Sequence, residues 1–188
     1  MKKKILLKGP LLTRSGYGEQ TRFALRALRS REDIFDIYIQ PLRWGTTSWI
    51  VDDNEERSWI DQNIEKTIGF IRQEGQFDVS MQVTIPSEWE QLAPINIGYT
   101  AGIETTRVAH KWIEKGNIMD KIITISSHSR QSFQNSIYEA INQQTNERHE
   151  LRLSTPIDIV GYPVKVFENL PNLDINLDYD YNFLTIAQ

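Results

Sequence analysis

Cysteine is absent from all 188 residues, which removes disulfide cross-links, thiolate metal centres and cysteine nucleophiles together. Such a composition fits the reducing cytoplasm. Histidine is scarce: His110, His128 and His149 stand far apart and lack the short spacings of a zinc site, so no metal is expected. Positive charge is not in excess either. With 21 Lys and Arg against 25 Asp and Glu, the formal net charge is −4, so the overall field does not draw in nucleic acid, and none is expected as a partner. No window approaches the roughly 18 to 20 apolar residues that span a bilayer. The basic start before Ile5, Leu6 and Leu7 is too short to be a secretory signal once Lys8 and Gly9 interrupt it. Finally, no Gly-Lys-Ser/Thr triplet occurs, which excludes a P-loop.

What is present is globular. Hydrophobic residues make up 39% and charged residues 24%, with five Trp, seven Tyr and seven Phe, enough for the core of one ordinary α/β domain. Strand-like runs are predicted at Lys4–Lys8, Ile34–Gln40, Phe77–Val83, Ile95–Tyr99, Lys121–Ser126 and Ile157–Val160. Helices are predicted at Glu19–Arg29, Asn54–Gln73, Thr105–Glu114 and Ser129–Asn142, the second from the recurrence of Ile60, Ile64, Ile68 and Ile71 and the last from Phe133, Ile137 and Ile141. This alternation implies a Rossmann-like parallel sheet with helices on both faces. The stretch from Asn142, "NQQTNERHELRLS", is polar and aperiodic and is expected to be an exposed excursion. Residues 1–162 are assigned to the domain. The Pro-containing, acid-dotted stretch that follows reads as a linker, and "NFLTIAQ" as one more strand, so the chain looks cut.

The loop "KGPLLTRSGYGEQT" follows the first strand. Gly16 and Gly18 match two glycines of a dinucleotide fingerprint, but Thr21 occupies the third position and the loop from Gly9 to Ser15 is too long for that tight turn. Two readings remain open: a turn that uses glycine for its backbone angles, and a flexible crest bringing backbone N–H groups to a ligand at the positive end of a helix. In a parallel sheet the junctions after Ile95–Tyr99 and Lys121–Ser126 fall on the same edge as this crest, so three polar loops are expected to converge.

Taken in order, these segments resemble the amino-terminal domain of a GT-B glycosyltransferase of the retaining, group 1 type. The similarity lies in the crest and its helix, in "IGYTAGIETTRVAHKW" with Glu104 and Trp112, in "DKIITISSHSRQSF" with Ser127 and Phe133, and in the linker-like "IVGYPVKVFE" before "YNFLTIAQ". The resemblance implies an enzyme moving a sugar from a nucleotide-sugar donor to a sugar, lipid or protein acceptor. The donor is a substrate and no cofactor is implied. The donor-binding half, with its paired-glutamate motif, is missing from residues 1–188, so this chain alone is expected to be inactive, and residues 163–188 would be linker and first strand of the second domain. The histidine that many relatives carry after the fourth strand is not found among Thr100, Ala101, Gly102, Ile103 and Glu104.

Candidate site residues follow. Glu104 is the candidate catalytic residue, positioned to orient or deprotonate an acceptor hydroxyl; the plainer reading is an acid favoured near a helix start. Arg14, Gly16, Tyr17, Gly18, Thr100, Ser127, Arg130 and Trp44 are the candidate binding residues. Arg14 suits an anionic group because a guanidinium can grip phosphate with two bonds. Trp44, like Trp49 in "PLRWGTTSW", offers a stacking face for a sugar ring or simply buries a lid. Arg22, Arg26 and Arg29 share a helix face that reads as solvated; the sharper reading is a basic strip contacting an anionic membrane or a phosphorylated acceptor. Two rivals stand beside the transferase: a non-enzymatic ligand- or protein-binding module of the same fold, and an NAD(P)-dependent oxidoreductase.

Overall fold

The computed structural model describes residues 1–141, 148–164, 179, 181–183 and 185. Each predicted core strand forms: β1 Lys3–Gly9, β2 Phe35–Pro41, β3 Val79–Val83, β4 Ile95–Thr100 and β5 Lys121–Thr124, with Ile157–Ile159 as the last, β8. They make one six-stranded sheet in the order β2-β1-β3-β4-β5-β8, and each neighbouring pair is parallel. The fold is α/β and Rossmann-like.

The four helices are α1 Gly16–Arg29, α2 Glu55–Arg72, α3 His110–Gly116 and α4 Ser127–Gln134. Their starts follow from local chemistry. Ser15, Asn54 and Ser126 each stand extended before a helix and accept a hydrogen bond from a first-turn N–H, satisfying a donor that the helix leaves free.

Successive strand residues point to opposite faces, so Ile122 and Ile123 separate two cores. On one face Ile5, Leu7, Ile37, Ile39, Val83 and Tyr99 pack under Ala24, Leu25 and Leu28 of α1. On the other, Ile122 meets Trp89 and Met119, and nearby Ile113 of α3 meets Phe133 of α4. No α-helix connects β3 to β4. A loop with one 3-10 turn, Pro86–Glu88, covers the face instead. Two buried amides hold it: Asn96 Oδ1 accepts from Leu92 N and Ala93 N, and Gln82 Oε1 accepts from Glu90 N. Trp89 then lies so close over Gly98 that a Cβ there would come within 2.6 Å of its ring.

Three expectations are corrected. The helix expected to run to Asn142 stops at Gln134, and Tyr138–Ile141 (β6) pairs antiparallel with Arg148–Leu151 (β7) in a separate hairpin. Ser136 explains the break: its hydroxyl donates to Ser132 O and accepts from Val108 N, so the chain is pinned to the preceding loop before another turn forms. The helix expected from Thr105 begins at His110, since residues 105–109 form that loop. The α2 stripe is only half used. Ile60 is buried, whereas Ile68 and Ile71 are exposed, because α2 runs along the open edge of β2. There Thr67 Oγ1 accepts from Ile39 N and Lys66 Nζ donates to Ile37 O, closing an edge that would otherwise offer free backbone groups. The linker and closing strand expected over residues 163–188 fall for the most part outside the described residues.

Candidate functional site

Parallel strands send their connecting loops to one edge of the sheet, and a crevice opens where neighbouring connections diverge. Here that point lies between β1, whose chain turns toward β2, and β3, whose chain turns toward β4. The crest, the stretch after β2, the loop after β4 and the start of α4 all lie along this rim.

Tyr17, Trp44 and Thr100 come together. The Tyr17 hydroxyl and Thr100 Oγ1 are 2.8 Å apart, tying the first turn of α1 to the end of β4. The Tyr17 and Trp44 rings lie with centroids 4.5 Å apart. Burial pushes the Tyr17 hydroxyl above its ordinary pKa, against the pull of Thr100 and of the Ala101 backbone N–H, so it stays neutral. From Thr100 the bonding runs on: Gly102 N donates to Thr100 Oγ1, Ser129 Oγ donates to Ala101 O, and Ser126 caps α4. Gly102 has φ +87° and lies against the Ser129 side chain, so only glycine fits both its angle and its space.

The remaining candidates make no hydrogen bond, among the described residues, to those three side chains. Ser127 is exposed as the first residue of α4. Glu104 is also exposed, six positions before α3 begins, so a helix-start role does not explain it; its backbone oxygen contacts His128 Nε2 at 3.2 Å. Arg130 is half-buried, with a buried Nε that makes no hydrogen bond among the described residues. Arg14 faces outward, its guanidinium 3.9 Å from Asp52 and its backbone N–H donating to Ser48 O.

The two crest glycines differ in kind. A Cβ on Gly16 would meet nothing within 4 Å, whereas one on Gly18 would collide with the Thr13 carbonyl. Gly18 therefore serves packing. Gly9 likewise makes room for Thr21, whose hydroxyl donates to Tyr17 O. The crest is closed rather than an open cradle: Thr13 N and Oγ1 both donate to Pro10 O, and Arg22 Nη1 donates to Leu11 O and Thr13 O. Residues 42–50 double back along it, with Ile50 N donating to Leu12 O.

The arginine face of α1 is solvated at Arg26 but buried at Arg22, and all three side chains are engaged. Arg22 is 8% exposed and paired with Glu19. Arg26 grips Glu56 of α2 through two bonds, and Arg29 lies over the Trp59 ring. These cations fasten α1 to the crest and to α2.

Sequence reasoning missed Gln20, Tyr99 and Tyr162. Gln20 is 0% exposed; its Oε1 accepts from the Tyr162 hydroxyl at 3.2 Å, and its Nε2 makes no hydrogen bond among the described residues. It lies near the Tyr99 hydroxyl, which burial keeps above its ordinary pKa. The available signal was a polar residue one turn after Tyr17 on the same apolar stripe as Ala24 and Leu28.

The rim thus presents the partly buried Tyr17 and Trp44 rings, while Thr100 and Gln20 lie fully buried beneath it. Among the described residues no three His, Asp or Glu side chains converge to hold a metal ion, and no helix is long and apolar enough to cross a membrane. No protein family matches the chain, and no curated protein or solved structure matches it.

Proposed function

We propose that this chain is the acceptor-side domain of a retaining GT-B-type glycosyltransferase, contributing one wall of a cleft in which sugar passes from a nucleotide-sugar donor to an acceptor. The observation that carries the reading is the Tyr17–Trp44–Thr100 cluster at the carboxyl ends of the strands. Aromatic faces and neutral hydroxyls recognise sugar rings and their hydroxyls. Two contacts weigh against a dinucleotide. Gly18, where a fingerprint glycine would let a pyrophosphate approach, is filled by the crest itself, and Thr21 stands where the third glycine would let helix and strand pack closely. In this reading Glu104, at the solvent face of the rim, orients or deprotonates the acceptor hydroxyl. The donor phosphates are stabilised mainly by residues beyond this domain, in the cytoplasm or at its membrane surface.

Two measurements test it. Titration of maltose and of a nucleotide-sugar panel is expected to change Trp44 fluorescence, with no such change in Trp44→Phe, while NADH leaves the emission unaltered. Transfer by the full-length gene product, screened by mass spectrometry, is expected to fall by about a hundredfold or more in Glu104→Gln, the usual scale for losing a positioned general base. Saturable NADH binding without any sugar response would overturn the proposal in favour of the oxidoreductase.

A further inference from the structure

Beyond the last sheet strand the chain changes how it is held. Val160 N donates to Thr124 O, the final bond between the β8 side and β5. From Gly161 to Val164 the residues are exposed, and their backbones make no hydrogen bond among the described residues. A single polar side-chain contact ties this stretch down there. The Tyr162 hydroxyl donates to Gln20 Oε1 of α1 at 3.2 Å, and its ring centroid lies 6.2 Å from that of Phe23. The chain thus crosses from β8 to α1 over the carboxyl ends of the strands.

The two partners are unequal. Gln20 is 0% exposed, whereas Tyr162 is 41% exposed. A buried amide carbonyl requires a donor, and here the donor comes from a stretch that no backbone bond anchors. Gly161 supplies a pivot: a Cβ there would meet only Ile125 O, at 4.0 Å, so packing does not fix its backbone, and glycine leaves both dihedrals free. Pro163 holds Tyr162 to extended backbone, so movement concentrates at Gly161. Tyr162 also lies near enough to the Tyr17 and Tyr99 hydroxyls to disfavour their ionisation. The contact therefore sits beside the Tyr17–Thr100 junction, at the crevice where ligands enter sheets of this kind.

We infer that residues 161–164 form a latch over this crevice, with Gly161 as its pivot and Tyr162 as its catch. Closed, the phenol hydroxyl stands on Gln20 Oε1 in the place of a ligand hydroxyl. Open, that carbonyl faces the crevice, and water or a ligand O–H or N–H takes over the bond. The entering group must be a donor, because Gln20 Oε1 can only accept. The catch is light. A neutral hydrogen bond shifts an equilibrium by about threefold to tenfold, a margin that a ligand favouring the open form reverses. The inference is independent of whether that ligand is a sugar.

The Gln20 side-chain amide protons read the latch directly, since buried groups exchange with water through local opening. They are identified in the NMR spectrum by their loss in Gln20→Leu. Tyr162→Phe keeps the ring and removes the hydroxyl, and is expected to speed their exchange by about threefold to tenfold. Tyr162→Ala, which loses the ring as well, is expected to speed it further, while the backbone amide of Leu7 in the sheet core keeps its rate. Millimolar p-cresol, a free copy of the tyrosine side chain, is expected to slow the exchange again in Tyr162→Ala, and toluene, which lacks the hydroxyl, to do less. Unchanged Gln20 exchange in both Tyr162 variants would overturn the inference, because the amide would then be sealed without the catch. Equal acceleration at Gln20 and Leu7 would also overturn it, by making Tyr162 a packing residue whose loss loosens the whole domain. So would equal effects of p-cresol and toluene, none from either included, because the Gln20 carbonyl would then not select a donor.

Discussion

The two halves of the rim are built on opposite plans. At the β1 end, Gly9 through Thr13 are buried, and the crest carbonyls of Pro10, Leu11 and Thr13 are taken up by Thr13 and Arg22. At the β4–β5 end, Glu104, Thr105, Thr106, Arg107, Ser127 and His128 are exposed. Glycines in a loop therefore do not by themselves make a ligand loop. Where every backbone acceptor already has a buried donor the loop is architecture, and chemistry is left to the side with unused groups. Tyr17, through Thr100, joins the closed half to the open one.

The largest test of this contrast is Arg22→Met, which keeps the packing of the stem but removes the donors to Leu11 O and Thr13 O. Each abandoned buried acceptor costs about 1 to 3 kcal/mol, so a loss of about 3 kcal/mol is expected in urea unfolding. A loss under about 1 kcal/mol would mean that the crest holds itself. Next come the two glycines. Gly18→Ala forces a Cβ onto the Thr13 carbonyl and is expected to cost about 2 kcal/mol, the range of overpacked sites. Gly16→Ala meets open space and is expected to be neutral or stabilising by up to about 1 kcal/mol, because alanine has less freedom to lose. Equal effects would erase the distinction between the halves.

The sequence was most informative where a segment's own pattern matched its surroundings. Short apolar runs such as Ile5–Leu7 are buried on both faces of a parallel sheet, so all six sheet strands were legible. The β6–β7 hairpin was not. Tyr138 to Ile141 is too short for alternation to show, and Phe133, Ile137 and Ile141 mimic helical spacing across the Ser136 break. Similarly, the isoleucine ladder of α2 gave no hint that its helix would cover a strand edge, where Thr67 and Lys66 matter more than Ile68 and Ile71. At the site, Tyr17, Trp44 and Thr100 were legible because loops after parallel strands share an edge. Gln20 was not, since its full burial between α1 and Tyr162 shows only in three dimensions.

Tyr17→Phe tests the junction itself. It removes a 2.8 Å hydrogen bond and leaves the buried Thr100 hydroxyl short of a partner. The expected loss is about 1 kcal/mol of stability, together with faster amide exchange in residues 101–104, since Thr100 also receives Gly102 N. Unchanged exchange there would show the halves to be independent.

The smallest effect should come from the outer fastening of the closed half, where Arg26 holds Glu56 through two bonds of 2.8 and 2.9 Å. That hydrogen bonding, chiefly, holds the Glu56 carboxyl below its ordinary pKa of 4.5. A carboxyl depressed in the folded state binds its proton more readily when unfolded. The pair's contribution is therefore complete above about pH 4.5 and is lost as pH falls through the folded value. Because both partners are partly exposed, solvent and salt screen the attraction, and pairs of this kind contribute about 0.5 kcal/mol. Glu56→Gln is expected to lower stability by about that amount at pH 7 in low salt, and the difference from the parent protein should shrink both below pH 4 and in 1 M salt. A difference that survived acid and salt alike would assign the fastening to packing, through Arg29 on Trp59, rather than to charge.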